Sequence, residues 1–500
     1  MTNKFFYDKI DEKSRKENIY MTVTRFAPSP TGYMHIGNLR TGLYSYLISK
    51  HDGGKFILRI EDTDRERLVE GATEVIKKTL AITGLNYDEG PDVGGENGPY
   101  VQSERLPIYM EYAKKLVDMG QAYYCFCTKE RLEKLHEEDA TGGYDRHCRN
   151  LSKEEVEAKL AANTPFVIRQ KMPLEGTTSY VDSVFGEISV DNSELQDQIL
   201  IKADGYPTYN FCHIIDDHLM GVTHVVRGSE YLTSTPKYVL IYDAYGWERP
   251  VYIHLPLMMG RNADGTVGKL SKRHGAVSFQ DLLLDGYLPE AVLNYIALLG
   301  WCPKNSEQEF FTLDELKAAF TIDGISKSPA VFDYDKLLWF NGEYIHKLTD
   351  EDFKEKIESF IKIDIPVNVN KDKMLGLLKT RIAKLSEIND RMSFFITLPD
   401  YDKELFLNKK NKISDFDFVK SVLIEAKDVL SNIESFDNDM LFASLTPLTE
   451  KLAIKTGTLM WCLRIAVSGL SATPGGATEI MEVIGKTETL DRIDVALNKL

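Results

Sequence analysis

The sequence is poor in cysteine, in long apolar runs and in positive charge. Six cysteines among 500 residues are too few for a disulfide framework, so we expect a reducing, cytoplasmic location. No apolar run approaches the roughly 20 residues that cross a membrane, and residues 1–20 lack the apolar core of a signal peptide. The net charge of −16 gives no general attraction to nucleic acid. On charge alone, the default interpretation is an acidic soluble enzyme that acts on small molecules.

The pattern of apolar residues indicates an α/β domain followed by a helical region. Strands are predicted over 23–27 and 55–60, and apolar residues between them follow helical spacing. This strand–helix–strand order predicts a parallel sheet. Further helices are predicted over 65–83 and 107–119.

The chain is too long for one compact core, and we expect it to divide into several parts. The predicted parts are an N-terminal tail (1–20), the first half of the α/β domain (21–119), an insertion (120–200), the second half of the α/β domain (201–277), a small helical domain (278–345) and a helical C-terminal region (346–500). We infer the insertion from a change in composition and pattern, because cysteine, glycine and short β-like runs cluster there.

A glycine-containing turn joins the first predicted strand to the first predicted helix in "RFAPSPTGYMHIGN", Arg25 to Asn38. Such a turn places helix N-terminal amides at the carboxyl edge of a parallel sheet, where phosphate binds well. Gly32 and Gly37 allow the backbone to approach a ligand closely. His35 stands at the helix start, where it can donate a hydrogen bond to phosphate. The alternative is an ordinary tight turn whose histidine only caps the helix.

A second motif, "KLSKRHG", places Lys269 and Lys272 on either side of Ser271. A basic loop of this kind can hold a polyphosphate while charge develops on it. Taken alone, the motif is better interpreted as a solvated surface loop.

Together the two motifs resemble the HIGH and KMSKS signatures of class I aminoacyl-tRNA synthetases. The chain is similar in particular to glutamyl-tRNA synthetases, through the first motif and through "LRIEDTDRER", "GYPTYNFCHIIDDHLMGVTHVVRGSEYLTSTPK" and "SPAVFDYDKLLWFNGEYI". Glutamine-activating relatives usually read P-P-E-P-N-G where this chain reads A-P-S-P-T-G. The resemblance extends from about Thr22 to the C-terminus, where the sequence looks like the bacterial form. It implies a Rossmann-like catalytic domain with a parallel sheet and an α+β insertion, followed by an all-α anticodon-binding region.

The resemblance also implies a reaction and its site. ATP and Mg²⁺ would serve to activate L-glutamate, and the glutamyl group would pass to the 3′-terminal adenosine of tRNA-Glu. The implied catalytic residues are His35, Lys269 and Lys272. The implied ATP contacts are Gly37, Asn38, Ser271 and Lys272, and the implied glutamate contacts are Arg25, Ala27, Ser29, Glu61, Tyr209 and Arg227.

The implied glutamate contacts suit the chemistry of the substrate. Arg25 and Arg227 can each bind a carboxylate in bidentate fashion, and Glu61 can take the ammonium group. Tyr209 could equally be a core residue. One departure from the family pattern is His213, where some members have asparagine facing the substrate.

A cysteine cluster lies in the predicted insertion, with Cys125, Cys127 and Cys148 close in sequence. Thiolates favour zinc, and a closed structural site needs four ligands. The spacing resembles the zinc knuckle of some family members, with Tyr144 or His147 as the fourth ligand. The alternative is three reduced cysteines without a metal.

Anticodon contacts are expected in the C-terminal region. The candidate residues are Lys379, Arg381, Lys384 and Arg464. A basic stripe on a helix is more often a solvated face than a binding surface. The resemblance implies a cytoplasmic monomer that binds neither DNA nor membranes.

The same motifs leave three alternatives to this function. The protein could be a non-discriminating form that also glutamylates tRNA-Gln, an inactive tRNA-binding paralogue, or an enzyme that glutamylates a tRNA base. The intact phosphate-binding motifs argue against the paralogue. The base-modifying relatives lack the helical region that residues 346–500 provide here. The sequence does not decide between the discriminating and non-discriminating forms.

Overall fold

The computed structural model describes residues 21–138, 143–262, 264–270, 278–304 and 306–500. The predicted tail, Ser271 and Lys272 lie outside the described residues. The chain divides into two compact units. Described residues of 21–281 and 292–333 belong to the first unit, and Leu282–Ala291 and Tyr334–Leu500 form the second.

The first unit contains both strands and helices. The strands are β1 (Val23–Phe26), β2 (Lys55–Leu58), β3 (Ala122–Cys125), β4 (Val167–Gln170), β5 (Thr177–Asp182), β6 (Gly186–Asp191), β7 (Ile199–Ile201), β8 (His224–Gly228), β9 (Val251–Leu255), β10 (Met258–Arg261), β11 (Val267–Lys269) and β12 (Ala330–Phe332). The helices between residues 21 and 333 are α1 (Ile36–His51), α2 (Ala72–Ile82), α3 (Leu106–Asp118), α4 (Lys129–Glu138), α5 (Lys153–Ala161), α6 (Tyr209–Leu219), α7 (Thr235–Tyr245), α8 (Phe279–Leu284), α9 (Pro289–Ala297) and α10 (Leu313–Ala319).

Parallel pairing organises the strands around the first motif. β1 pairs in parallel with β2, and β8 pairs in parallel with β9. Thr223, which directly precedes β8, donates its backbone N–H to the carbonyl of Val23 at 3.0 Å, so β1 lies beside β8. This parallel arrangement, with α1 crossing between β1 and β2, confirms the α/β class that the sequence predicts.

The predicted insertion contributes to two sheets. β3, β4 and β7 form an antiparallel sheet. The hairpin of β5 and β6 instead joins the sheet of β8 and β9, where Asp182 at the end of β5 pairs in parallel with Tyr252. One hairpin of the insertion is therefore continuous with the sheet of the α/β domain.

The helix predicted over 65–83 is interrupted. A short 3₁₀ turn covers Arg65–Arg67, and α2 begins only at Ala72. Gly71 between them has φ of 78°, a left-handed conformation that favours glycine and ends the first turn. The helix predicted over 107–119 is present as α3.

The second unit is helical. Its helices after residue 333 are α11 (Tyr334–Lys347), α12 (Asp350–Glu358), α13 (Lys371–Lys379), α14 (Ile388–Ile396), α15 (Phe416–Ser431), α16 (Asn438–Lys451), α17 (Thr456–Ser468) and α18 (Ala477–Lys499). Buried Arg492 on α18 donates to the carbonyls of Phe394 on α14 and Val467 on α17, which ties three helices together. Among the described helices, none is both long and apolar enough to cross a membrane.

Candidate active site

A cleft of about 880 Å³ lies where the parallel strands end. Residues at the carboxyl ends of β1 and β8 and at the N-termini of α1 and α6 form its walls, which is where ligands bind in open α/β sheets. Every described residue that the sequence predicts to contact ATP or glutamate lines this cleft: Arg25, Ala27, Ser29, His35, Gly37, Asn38, Glu61, Tyr209, Arg227 and Lys269.

His35 is the N-cap residue of α1. Its Nδ1 accepts a hydrogen bond from the backbone N–H of Gly37 at 3.0 Å, which satisfies one of the free amides at the helix start. Burial, and after it the positive charge of Lys269, lowers the pKa of His35. The neutral ring must then carry its proton on Nε2. Capping and phosphate binding are therefore compatible, because each uses a different ring nitrogen.

The glycines of the first motif serve local geometry. Gly32 has φ of 117°, a backbone conformation that side chains rarely adopt. A Cβ at residue 37 would lie 3.2 Å from Nδ1 of His35, so a larger residue would press on the imidazole that caps the helix. Both glycines keep the turn compact in front of α1.

Described residues at the start of the second motif and just after it lie close to the first motif. Ser278, which follows the second motif, forms an antiparallel bridge with His35. The backbone N–H of Phe279 donates to the carbonyl of Met34 at 2.9 Å. At the other side of the loop, Lys269 ends β11 and lines the cleft. The described residues on both sides of the basic loop thus lie beside the N-terminus of α1.

A network of buried ionic side chains contacts two of the cleft residues, Arg25 and Glu61. Asp217 accepts hydrogen bonds from Arg25 Nε at 3.0 Å and from Arg59 Nη1 at 2.7 Å. Arg59 Nη2 also donates to Glu61 Oε1 at 2.9 Å. Arg59 therefore links two cleft residues, through Asp217 to Arg25, which is predicted to bind a carboxylate, and directly to Glu61, which is predicted to bind the ammonium group.

Burial and the two arginines together shift the pKa values of the acids in this network. Burial opposes ionisation of Asp217, but Arg25 and Arg59 outweigh it and hold the pKa of Asp217 below its ordinary value. At Glu61 burial dominates and raises the pKa, although Arg59 and Arg25 act against it. Sequence reasoning missed Arg59 and Asp217, and the acid- and arginine-rich stretches "LRIEDTDRER" and "HIIDDH" were the available signal.

Arg227, near the end of β8, is buried beside uncharged side chains. Its Nε lies 3.1 Å from His254 Nε2, and its Nη2 donates to Thr235 Oγ1 at 2.7 Å. It also lies within 6 Å of three tyrosine rings: Tyr231, Tyr238 and Tyr252. Arg227 forms no ion pair with any residue that the structure describes. Because an unpaired buried cation is costly, this arrangement favours an anionic ligand.

His213, the departure from the family pattern, supports two residues of the cleft. Its ring stacks on Tyr209 with centroids 4.6 Å apart, and its Nδ1 lies 2.6 Å from the Tyr209 carbonyl oxygen. Its Nε2 lies 3.4 Å from Arg227 Nη1. Burial, and then the charge of Arg227, lowers the pKa of His213 to about 3. The ring is neutral at pH 7 and adds no second charge beside Arg227.

The cysteine cluster of the insertion converges in space. The sulfur atoms of Cys125, Cys127 and Cys148 all lie within 4.8 Å of one another. The Tyr144 hydroxyl lies 3.2 Å from Cys125 Sγ and 3.7 Å from Cys127 Sγ, whereas His147 is exposed. Three clustered sulfurs, with a phenol oxygen beside two of them, supply four donor atoms, the number that a structural zinc site needs.

The four residues predicted to contact the anticodon lie in the second unit: Lys379, Arg381, Lys384 and Arg464. They do not form one helical stripe, because α13 ends at Lys379. Lys379 pairs with Asp350 and Lys384 with Asp285, each at 2.9 Å. These neighbouring acids reduce the positive potential that the two lysines present.

Two family models match the chain. The model described as "tRNA synthetases class I (E and Q), catalytic domain" matches residues 21–339. The model described as "Anticodon binding domain" matches residues 339–497.

Curated relatives and solved structures agree with these models. The chain is 55% identical over 488 residues to a glutamate–tRNA ligase of Clostridium kluyveri, covering 95% of this chain and 98% of that protein. It is 53% identical over 481 residues to the Clostridium tetani enzyme of the same name, with 95% and 97% covered. A crystal structure of a glutamate tRNA ligase from Elizabethkingia meningosepticum in complex with its amino acid superposes with a TM-score of 0.88 at 35% identity, covering 96% of this chain and 100% of that one.

These matches confirm the fold class predicted from the sequence, a class I catalytic domain with a helical anticodon-binding region. The catalytic-domain model alone covers more than half of the chain, and the relatives match it almost from end to end. The chain belongs to the bacterial glutamyl-tRNA synthetase family of class I aminoacyl-tRNA synthetases.

Proposed function

We propose that this chain, acting as a monomer, ligates L-glutamate to tRNA-Glu at the expense of ATP, which becomes AMP and pyrophosphate. The observation that carries the proposal is that the first signature motif, Lys269 of the second motif and the residues expected to contact glutamate line one cleft. Relatives that bear the ligase name match 95% of the chain, which supports the same reaction.

In the first step a glutamate carboxylate attacks the α-phosphorus of ATP, which forms glutamyl-adenylate and releases pyrophosphate. The carboxylate is already ionised, so the step needs positioning and charge neutralisation rather than a general base. His35 donates from Nε2 to the phosphates, Lys269 adds positive charge, and the amides at the start of α1 assist. Lys272 and Ser271 complete this set in the proposal. Mg²⁺, when bound to the phosphates, neutralises part of their charge.

Arg227 gives the cleft its preference for a carboxylate. It is buried, carries a positive charge, and has histidine, threonine and tyrosine partners instead of an acid. A glutamate carboxylate supplies the missing negative charge through a bidentate contact. The neutral amide of glutamine would leave the cation uncompensated, and the site should reject it.

The remaining glutamate contacts act on the backbone groups of the substrate. Glu61 holds the ammonium, and Arg25, fixed by Asp217, faces a carboxylate. In the second step the 2′-hydroxyl of the terminal adenosine of tRNA attacks the activated carbonyl and releases AMP. The hydroxyls of Ser29 and Tyr209 lie in the same cleft and can orient these groups.

The insertion holds a structural zinc ion in this proposal. Cys125, Cys127, Cys148 and Tyr144 are its ligands, and the ion would fix the chain segments on which they stand. Protein purified without chelators should contain about one equivalent of zinc. A content below about a third of an equivalent would leave three reduced cysteines as the correct interpretation.

A charging assay with both tRNAs tests the function. Purified protein, ATP and labelled glutamate are incubated with tRNA-Glu or with tRNA-Gln. Glutamylation of tRNA-Glu alone would support the discriminating form, and glutamylation of both would identify the non-discriminating alternative. If neither tRNA accepted glutamate, the proposal would be wrong. The Arg227→Gln variant is the matched control, because it removes the charge that selects glutamate and leaves the ATP contacts intact.

A further inference from the structure

A buried chain of hydrogen bonds runs from the β5–β6 hairpin to Arg227. Asp182 Oδ2 accepts from His254 Nδ1 at 2.7 Å, and His254 Nε2 accepts from Arg227 Nε at 3.1 Å. All three side chains are buried, His254 completely. Neither Asp182 nor His254 lines the cleft, so neither can touch a substrate there.

The geometry fixes the state of the histidine. An arginine Nε can only donate, so His254 Nε2 must accept and cannot carry a proton. The single proton of the neutral ring then sits on Nδ1, where Asp182 accepts it. Burial, opposed by Asp182 and reinforced by Arg227, lowers the pKa of His254. A buried carboxylate that holds a histidine tautomer is a known way of orienting a functional group.

Asp182 is itself held firmly. Its Oδ1 accepts the backbone N–H groups of Val184 and Phe185 in the turn between β5 and β6, at 2.9 and 2.8 Å. Its Oδ2 also accepts the backbone N–H of His254 at 3.1 Å. The Asp182 carboxylate therefore accepts four hydrogen bonds, which hold it in one position. Its bond to Nδ1 in turn holds the ring of His254 in one orientation.

The orientation of Arg227 follows from this support. Because His254 occupies Nε, Thr235 holds one N–H of Nη2 and His213 Nε2 lies 3.4 Å from Nη1, one N–H of each Nη nitrogen is left to meet a carboxylate. A guanidinium that could rotate would lose this bidentate fit. We propose that Asp182 and His254 are positioning residues for glutamate recognition, which hold Arg227 in the orientation that binds a substrate carboxylate. This inference rests on the proposed role of Arg227.

Kinetics of three variants test the inference. His254→Leu removes the acceptor, Asp182→Asn permits the wrong tautomer, and His254→Gln keeps an acceptor oxygen near the position of Nε2. The first two should raise KM for glutamate by about 10- to 100-fold, as expected for loss of a hydrogen bond to a charged group. KM for ATP should change less than about twofold, and His254→Gln should recover most of the affinity.

The controls separate the inference from its premise. His224→Leu makes the same substitution on β8, outside the cleft, and should leave both KM values unchanged. If Arg227→Gln does not raise KM for glutamate, the proposed glutamate site itself is wrong. If Arg227→Gln does raise it but folded His254→Leu and Asp182→Asn do not, the positioning role alone is overturned. A parallel rise of both KM values without recovery by His254→Gln would likewise overturn it, since general destabilisation would explain that result. Should His254→Leu fail to fold, the Asp182→Asn and His254→Gln variants decide alone.

Discussion

Replacing His35 by asparagine separates its observed role as the cap of α1 from the phosphate contact that we propose for it. Asparagine is a good N-cap, and its Oδ1 can accept the Gly37 N–H that His35 Nδ1 now accepts at 3.0 Å. It cannot reproduce the donor at Nε2. His35→Asn should therefore keep the stability of the protein and lower the rate of glutamate activation by about 100- to 1,000-fold, the usual effect of removing one transition-state donor.

Alanine at the same position should lose both functions. The missing cap should cost about 1 kcal/mol of stability in addition to the lost activity.

The pH dependence gives an independent check. The pKa of His35 is lowered by burial and then by Lys269, so the ring is already neutral at pH 7. The rate of glutamate activation should therefore not decline as pH rises from about 7 to about 8.5. If the reaction required a cationic histidine, the rate would decline over this range.

The assay is pyrophosphate exchange with tRNA present, together with thermal unfolding of each variant. His51→Asn is the matched control, because His51 is an exposed residue at the other end of α1. It should leave both the rate and the melting temperature unchanged. A folded His35→Asn protein with nearly normal exchange would show that the histidine only caps the helix, and the phosphate role would have to be abandoned.

Three further predictions follow from the motifs and from the buried network. Lys272→Ala should lower glutamate activation by about a hundredfold or more in a folded protein, and near-normal pyrophosphate exchange would remove Lys272 from the mechanism. Arg59→Ala leaves Asp217 and Glu61 buried without their shared cation, so urea denaturation should show a loss of about 3–5 kcal/mol; a loss below about 1 kcal/mol would contradict the importance of the network. Burial raises the pKa of Glu61, and its ionised form must hold the ammonium, so kcat/KM for glutamate should fall with decreasing pH already above 4.5. A profile that stays level down to pH 4.5 would argue against that role.

Part of the fold could be predicted because its signals are local. The strand, the glycine turn and the helix of the first motif are encoded within a few residues, and β1, the His35 cap and α1 appear where the spacing indicates. The interruption before α2 was missed, although Gly71 stands at the break. A glycine within a helical pattern is compatible with a helix or with its end, and only the surrounding packing decides between them.

The residues of the candidate site could also be predicted only in part. The resemblance supplied residues that line the cleft, since motif positions carry that information directly. It did not supply Arg59 and His254, which contact cleft residues without lining the cleft themselves, or Asp182, which contacts His254. Nor could it choose between Tyr144 and His147 beside the cysteine cluster, because both fit the spacing and only the turn of the chain brings one hydroxyl to the sulfurs.

By itself, the sequence determined the family, the first strand–turn–helix unit and many of the residues that line the cleft, because periodicity, turn chemistry and motifs are local properties of the chain. Tertiary structure decided how those residues are held. Arg227 contacts His254 from β9 and Thr235 from α7, and the aspartate that accepts from His254 comes from the β5–β6 hairpin. Such contacts join segments far apart in sequence, and their energies depend on burial and on hydrogen-bond geometry that exist only once the chain has packed.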